Sequence, residues 1–153
     1  MTVEPAPTSA KTTIGWPYLI AALLSLIGLG DAIYLTIQDL TGQNVQCTLS
    51  GCGEVLNSPY AHIGSIPLAS VGAFAYFVFF SLAILAAFGY SFARPLLALL
   101  VVVMFLTTLW LLYLQAFVIR HFCQYCLLSA AVTTVLTIII LAKQFNRRIK
   151  PPA

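Results

Sequence analysis

Four cysteines hold the obvious chemistry of this chain: a spaced pair, Cys47 and Cys52, and a tight pair, Cys123-Gln124-Tyr125-Cys126, with no other cysteine in 153 residues. A two-residue gap sets two sulfurs about one helical turn apart, close enough to bridge, and the N-terminal end of a helix favours a thiolate. Arg120 and His121 stand just before that motif and add positive charge. A thiolate attacks a disulfide along its axis, and successive exchanges pass two electrons from pair to pair. Two pairs on one face would therefore form a relay, which must end at a non-thiol acceptor, with a lipid-soluble quinone the natural candidate. Three other readings stay open: static disulfides in an outer cap, a four-thiolate zinc site, and buried inert thiols. A C-x-x-C bridge is a poor static staple because its loop is so short, and zinc knuckles usually sit on adjacent hairpins.

The elements that must position these thiols are membrane helices. Charged residues make up 7% of the chain and hydrophobic ones 61%, far from the roughly 25% charge of soluble domains. Four apolar stretches, Pro17 to Gln38, Pro67 to Tyr90, Pro95 to Ile119 and Gln124 to Lys143, reach the ~20 residues that a hydrocarbon core requires. Pro17, Pro67 and Pro95 each open a span, where a missing amide proton costs least. The predicted fold class is all-α: a four-transmembrane-helix bundle with an outer loop that carries a cysteine pair. Residues 1–16 are expected to be a disordered cytoplasmic tail, 17–143 the catalytic bundle, and 144–153 a basic cytoplasmic tail. The first span is too long for a signal-peptide core, so no cleaved leader is expected.

Orientation follows from the cations, which stay cytoplasmic near span ends. With the N-terminus inside, Lys11, Arg94, Lys143, Arg147, Arg148 and Lys150 are cytoplasmic and Arg120 alone lies outside. Both cysteine pairs then face the outer compartment. The net charge of +3 is mostly the basic cluster after the last span, which topology and anionic lipid explain without a nucleic-acid partner. The loop from Asp39 to Ile66 is rich in glycine, including Gly42, Gly51, Gly53 and Gly64, which predicts a pliable carrier for Cys47 and Cys52.

Asp31 lies inside the first span, where a carboxylate costs about 2.5–3.5 kcal/mol and should face the bundle interior. There it would either hydrogen-bond within the bundle or supply protons to a reduced quinone. Trp16, Tyr18, Tyr60 and Phe122 read as interface anchors, and Trp110 as packing. Neither a phosphate-binding glycine loop nor a Ser-His-Asp arrangement is evident.

The stretch from Cys47 to Gly72, with Cys52, Val55-Leu56-Asn57-Ser58-Pro59-Tyr60 and Gly64-Ser65-Ile66-Pro67, followed later by Cys123-Gln124-Tyr125-Cys126, resembles the vitamin K epoxide reductase family, and within it the bacterial homologues that make disulfides. The resemblance covers about Pro17 to Lys143. Order carries it: spaced pair, a serine six residues beyond the second cysteine, then C-x-x-C opening the last helix. In the unrelated B-type disulfide-generating membrane protein that order is reversed.

The resemblance implies a relay from a separate thioredoxin-fold partner to Cys47, with Cys52 pairing with Cys47 or attacking toward Cys123, and Cys126 meeting a quinone of the ubiquinone or menaquinone type. It places Ser58 near the redox centre, where its hydroxyl would bond a quinone oxygen or orient a thiol; capping the turn before Pro59 is the alternative. Leu68 and Ala130 stand where vertebrate members carry an asparagine and a tyrosine. An apolar pocket there points to an ordinary respiratory quinone, with Ser58, Tyr76 or backbone amides as donors and no metal. The expected location is the bacterial inner membrane.

Overall fold

The structure is a computed structural model that describes residues 15–43, 45–48 and 51–149. The tail expected at the N-terminus lies largely outside the described residues, as does the end of the basic C-terminal segment. Helix α1 spans Trp16–Thr41, with Pro17 in its first turn. It stops at Gly42, whose left-handed backbone (φ 63°) turns its N–H back to the last-turn carbonyls. A short helix α2, Cys52–Leu56, opens the inter-helix segment. It is followed by a 3-10 turn at Pro59–Ala61 and a two-stranded antiparallel ribbon, β1 His62–Ile63 and β2 Ile66–Pro67. Helix α3 covers Leu68–Ala87 and α4 Ala93–Tyr113. A π turn, Leu114–Ile119, prolongs α4, and α5 runs over Gln124–Ile149.

All four long helices have the length and hydropathy to cross a membrane. Their contacts run α1 to α3, α3 to α4, α4 to α5 and α5 back to α1, closing a four-helix ring. The expected all-α membrane bundle is thus found, with shifted boundaries: α1 runs past Gln38 to Thr41, and α3 stops at Ala87, short of Tyr90. The fourth helix continues six residues past Lys143 to Ile149, because loss of hydropathy ends an apolar run but does not end a helix whose residues all propagate it. Pro95 sits in the third position of α4 rather than at its start, still within the first turn where its missing N–H is harmless.

Packing follows the logic of lipid rather than water. The buried stripe of α1 is Tyr18, Ala21, Ala22, Ser25, Gly28, Asp31, Ala32 and Leu35, at helical spacing and made largely of small residues. Leu23, Ile27 and Leu40 point outward. Lipid tails are as apolar as leucine, so close backbone approach drives association. Gly28 shows how close: a Cβ there would run into the ring of Tyr76 on α3. That ring reaches across to α5, where its hydroxyl meets the Ser129 carbonyl, the Ser129 hydroxyl and the Thr133 hydroxyl at 2.8–3.0 Å. Phe79, Leu97, Val101, Leu136 and Ile140 fill the centre.

Two aromatic assignments change. Tyr18 is buried at 3% exposure within the core instead of anchoring an interface. Trp110 faces outward at 60% exposure, with its ring 6.0 Å from that of Tyr113, since an aromatic in mid-span is as well solvated by lipid as by protein.

One end of the bundle carries Gly15, whose N–H donates to the Ala87 carbonyl at 3.2 Å. The other end gathers everything between α1 and α3 together with the residues that lead into α5. Both cysteine pairs therefore lie at one end. Of the described cations, Arg120 alone belongs to that end, and Arg94, Lys143, Arg147 and Arg148 belong to helix termini at the opposite one.

Candidate active site

The tight pair is built into a helix cap. The Cys123 carbonyl accepts the Leu127 N–H at 3.0 Å, so Cys123 is the N-cap of α5 and Cys126 its third helical residue. That spacing lets an N-cap side chain collect the free amides of the first turn. Cys123 accordingly has its acidity shifted from the ordinary 9.0 down to about 7: the Cys126 thiol hydrogen-bonds its sulfur, and the Cys126 and Tyr125 amides add to this against the opposing effect of burial. The charge on Arg120 and His121, expected to help, sits on exposed side chains. The thiol and the amides are the effective groups.

The spaced pair docks on this cap. Cys47 and Cys52 are joined in a disulfide with Cα atoms 6.2 Å apart, while Cys123 and Cys126 are free thiols. Cys52 is 1% exposed and packs in one apolar cluster with Val55 and Cys123, with Cys47 and Cys126 at its margin. Gly51 makes that approach possible, because a Cβ there would meet the Phe122 carbonyl at 2.8 Å and the His121 Cβ at 3.0 Å. Its role is close contact, where the sequence suggested pliability. Gln124 Oε1 accepts from the Thr48 N–H at 3.2 Å and the Thr48 hydroxyl at 2.5 Å, and the Tyr125 hydroxyl donates to the Gln46 carbonyl at 3.1 Å.

Beneath the cap lies a cavity of about 150 Å³, of the order of the space that holds one aromatic ring. Its walls come from all four long helices and from the segment between α2 and α3, and are mostly apolar, including Leu68, Leu111, Leu112 and Ala130. Of the four cysteines, only Cys126 lines it. Ser58 lines it too, with its hydroxyl proton given to the Val55 carbonyl at 2.7 Å, leaving its lone pairs free. Tyr76 contributes to the wall while its hydroxyl is held by α5. The pair Asp39 and His62, with Oδ2 and Nε2 3.1 Å apart, ties the end of α1 to β1 at the cavity margin.

Two polar groups stand deeper. Asp31 lines the cavity at 8% exposure, and neither carboxylate oxygen has a hydrogen-bond partner among the described residues. Gln115, 3% exposed, was not singled out by sequence. Its Oε1 accepts the Cys123 N–H at 3.4 Å, and it lines the cavity together with Cys126. It sits in the π turn, a distortion that recurs at functional sites. A lone amide inside an otherwise apolar span was the signal available. Arg120 ends that turn at φ 58°, an uncommon backbone for a residue with a side chain.

A disulfide packed against a free dithiol at one end of four membrane-spanning helices defines a membrane thiol oxidoreductase. The family model described as Vitamin K epoxide reductase family matches residues 19–141, and the chain belongs to that family.

Proposed function

We propose that this protein is a quinone-dependent thiol oxidase of the bacterial cytoplasmic membrane, which takes electrons from a separate thioredoxin-fold protein on the outer face and supports disulfide formation there. The observation that carries this reading is the spatial order of the sulfurs: Cys47 is half-buried at the outer margin of the cluster, Cys52 packs on Cys123, and of the four Cys126 alone meets the cavity.

In this reading the partner's thiolate attacks Cys47, its second thiol releases the mixed disulfide, and Cys47 and Cys52 become a dithiol. The Cys52 thiolate then attacks Cys123 of a Cys123–Cys126 bridge and Cys126 leaves as a thiolate. Cys47 closes on Cys52 and frees Cys123. A bridged Cys47–Cys52 beside two free thiols corresponds to the end of that exchange, with two electrons stored next to the cavity.

The cavity suits an aromatic ring in size and in its apolar wall, and a quinone bound there would supply a two-electron, two-proton acceptor. Ser58 has its proton committed to the Val55 carbonyl, so it would accept from a hydroquinone hydroxyl and not donate to a quinone oxygen; Gln115 holds the Cys123 N–H, and Asp31 is the acid positioned to provide a proton. Leu68 and Ala130 give the wall no polar donor of their own. The outward placement of the cysteines rests on the cation count, since charge near span ends remains cytoplasmic.

The test is absorbance-monitored reduction of ubiquinone-1 or menadione by the purified chain supplied with a reduced thioredoxin-fold protein. Turnover that is lost in Cys126→Ala supports the reading. No quinone reduction, with Cys47–Cys52 unchanged under mild reductant, would instead favour a non-enzymatic bundle with a structural disulfide.

A further inference from the structure

Gln124 and Tyr125, the two spacer residues of the C-x-x-C, both reach toward the cysteine loop. Gln124 holds Thr48 through its N–H and its hydroxyl, and Tyr125 holds the Gln46 carbonyl. Gln46 and Thr48 are the two neighbours of Cys47. One half of the loop disulfide is therefore gripped on both sides by the residues between the two sulfurs of the other pair. The other half is set by Gly51, pressed on the Phe122 backbone. Two of the three hydrogen bonds involve main-chain atoms of the loop, so the grip reads the path of the chain. Tyr125 is itself supported by Tyr34 of α1, with ring centroids 5.2 Å apart.

We propose that Gln124 and Tyr125 are positioning residues that clamp Cys47 beside Cys52, so that exchange between the two pairs runs to completion instead of halting at a Cys52–Cys123 bridge. The proposal rests on the relay order given above. In the step concerned, the Cys47 thiolate attacks the Cys52 sulfur. The Cys47–Cys52 bond forms, the Cys52–Cys123 bond breaks, and the electron pair leaves on Cys123. A sulfur in an N-cap position receives that charge well, and a better-stabilised thiolate leaves faster. The remaining requirement is that Cys47 stay within reach of Cys52, and holding two reacting groups together is worth a large effective concentration. The clamp supplies it at the residues adjoining the nucleophile.

The full chain in detergent is reduced with dithiothreitol, acid-quenched at intervals, alkylated and mapped by non-reducing peptide analysis. Wild-type protein is expected to show chiefly Cys47–Cys52 among its bridged forms. In the double variant Gln124→Ala, Tyr125→Phe, the Cys52–Cys123 peptide should rise roughly tenfold, as expected for loss of one or two net hydrogen bonds. Gln124→Glu keeps an oxygen to accept from Thr48 and should return the bridge close to the wild-type amount, which a purely structural disturbance would not do. If the double variant does not fold, Tyr125→Phe alone, which retains the ring on Tyr34, carries the test through a smaller rise. An unchanged Cys52–Cys123 fraction in folded variants, or an equal rise in Gln124→Glu, overturns the clamp. The Cys126→Ala background separates the two claims: with no Cys52–Cys123 bridge even there, the relay order itself fails and the clamp with it.

Discussion

Cys123 and Cys126 stand three residues apart at the start of α5, both as free thiols, yet the two face different neighbours. Cys123 caps α5 and packs on Cys52, whereas Cys126 lines the cavity. With its acidity shifted to about 7, Cys123 is largely thiolate above that pH and largely thiol below. Its thiolate ultraviolet absorbance should rise with pH through an inflection near 7, well below that of an ordinary cysteine at 9.0. In Cys126→Ala the main stabilising hydrogen bond is gone, and the inflection should move up. An inflection near 9 in the wild type would contradict the cap.

Loss of Cys126 also removes one of the two sulfurs that can open a Cys52–Cys123 bridge, leaving Cys47 as the only route of release. Cys126→Ala should accumulate a Cys52–Cys123 disulfide, found by non-reducing peptide mapping. A variant with no such species would rule out the order of exchange.

Gly51 admits no side chain without displacing the Phe122 backbone. Gly51→Ala should leave the four-helix bundle folded, because the contact lies outside it, but shift Cys52 from Cys123. Misplacement of about 1 Å can slow a reaction ~100-fold. Stopped-flow measurement of exchange between the pairs should show a loss of that order, and an unaltered rate would mean that the loop docks by other contacts.

Asp31 should set stability against activity. Its oxygens are buried without partners among the described residues, and a mid-span carboxylate costs up to about 2.5–3.5 kcal/mol. Asp31→Asn should therefore raise the thermal unfolding temperature while slowing turnover with quinone. Increased stability with undiminished turnover across pH would remove the proton role and leave the residue unexplained.

The sequence made the bundle legible because span length and hydropathy are local quantities, and the cysteine order because it is written along the chain. The match over residues 19–141 agrees with the family that this order indicated. What escaped depends on contacts distant in sequence. Thr48 and Gln124 are 76 residues apart, so a spacer glutamine offers no hint that it grips a loop. Gly51 read as a source of flexibility because the backbone it touches belongs to a segment approached only after folding. Gln115 was hidden for a related reason: the π turn that aims it at the tight pair has no single breaker residue to announce it.

The length of α5 also sets a depth. Its 26 residues amount to about 39 Å at 1.5 Å per residue, against a hydrocarbon thickness of ~30 Å. The helix bears a sulfur cap at one end and Lys143, Arg147 and Arg148 at the other. Those cations seek the headgroup layer, and a rigid rod fixed at its charged end cannot let its opposite end drift. The basic turns thus act as ballast, holding the dithiol at a constant height in the bilayer. A change in lipid chain length would raise or lower the cavity relative to the acyl layer from which an apolar acceptor arrives.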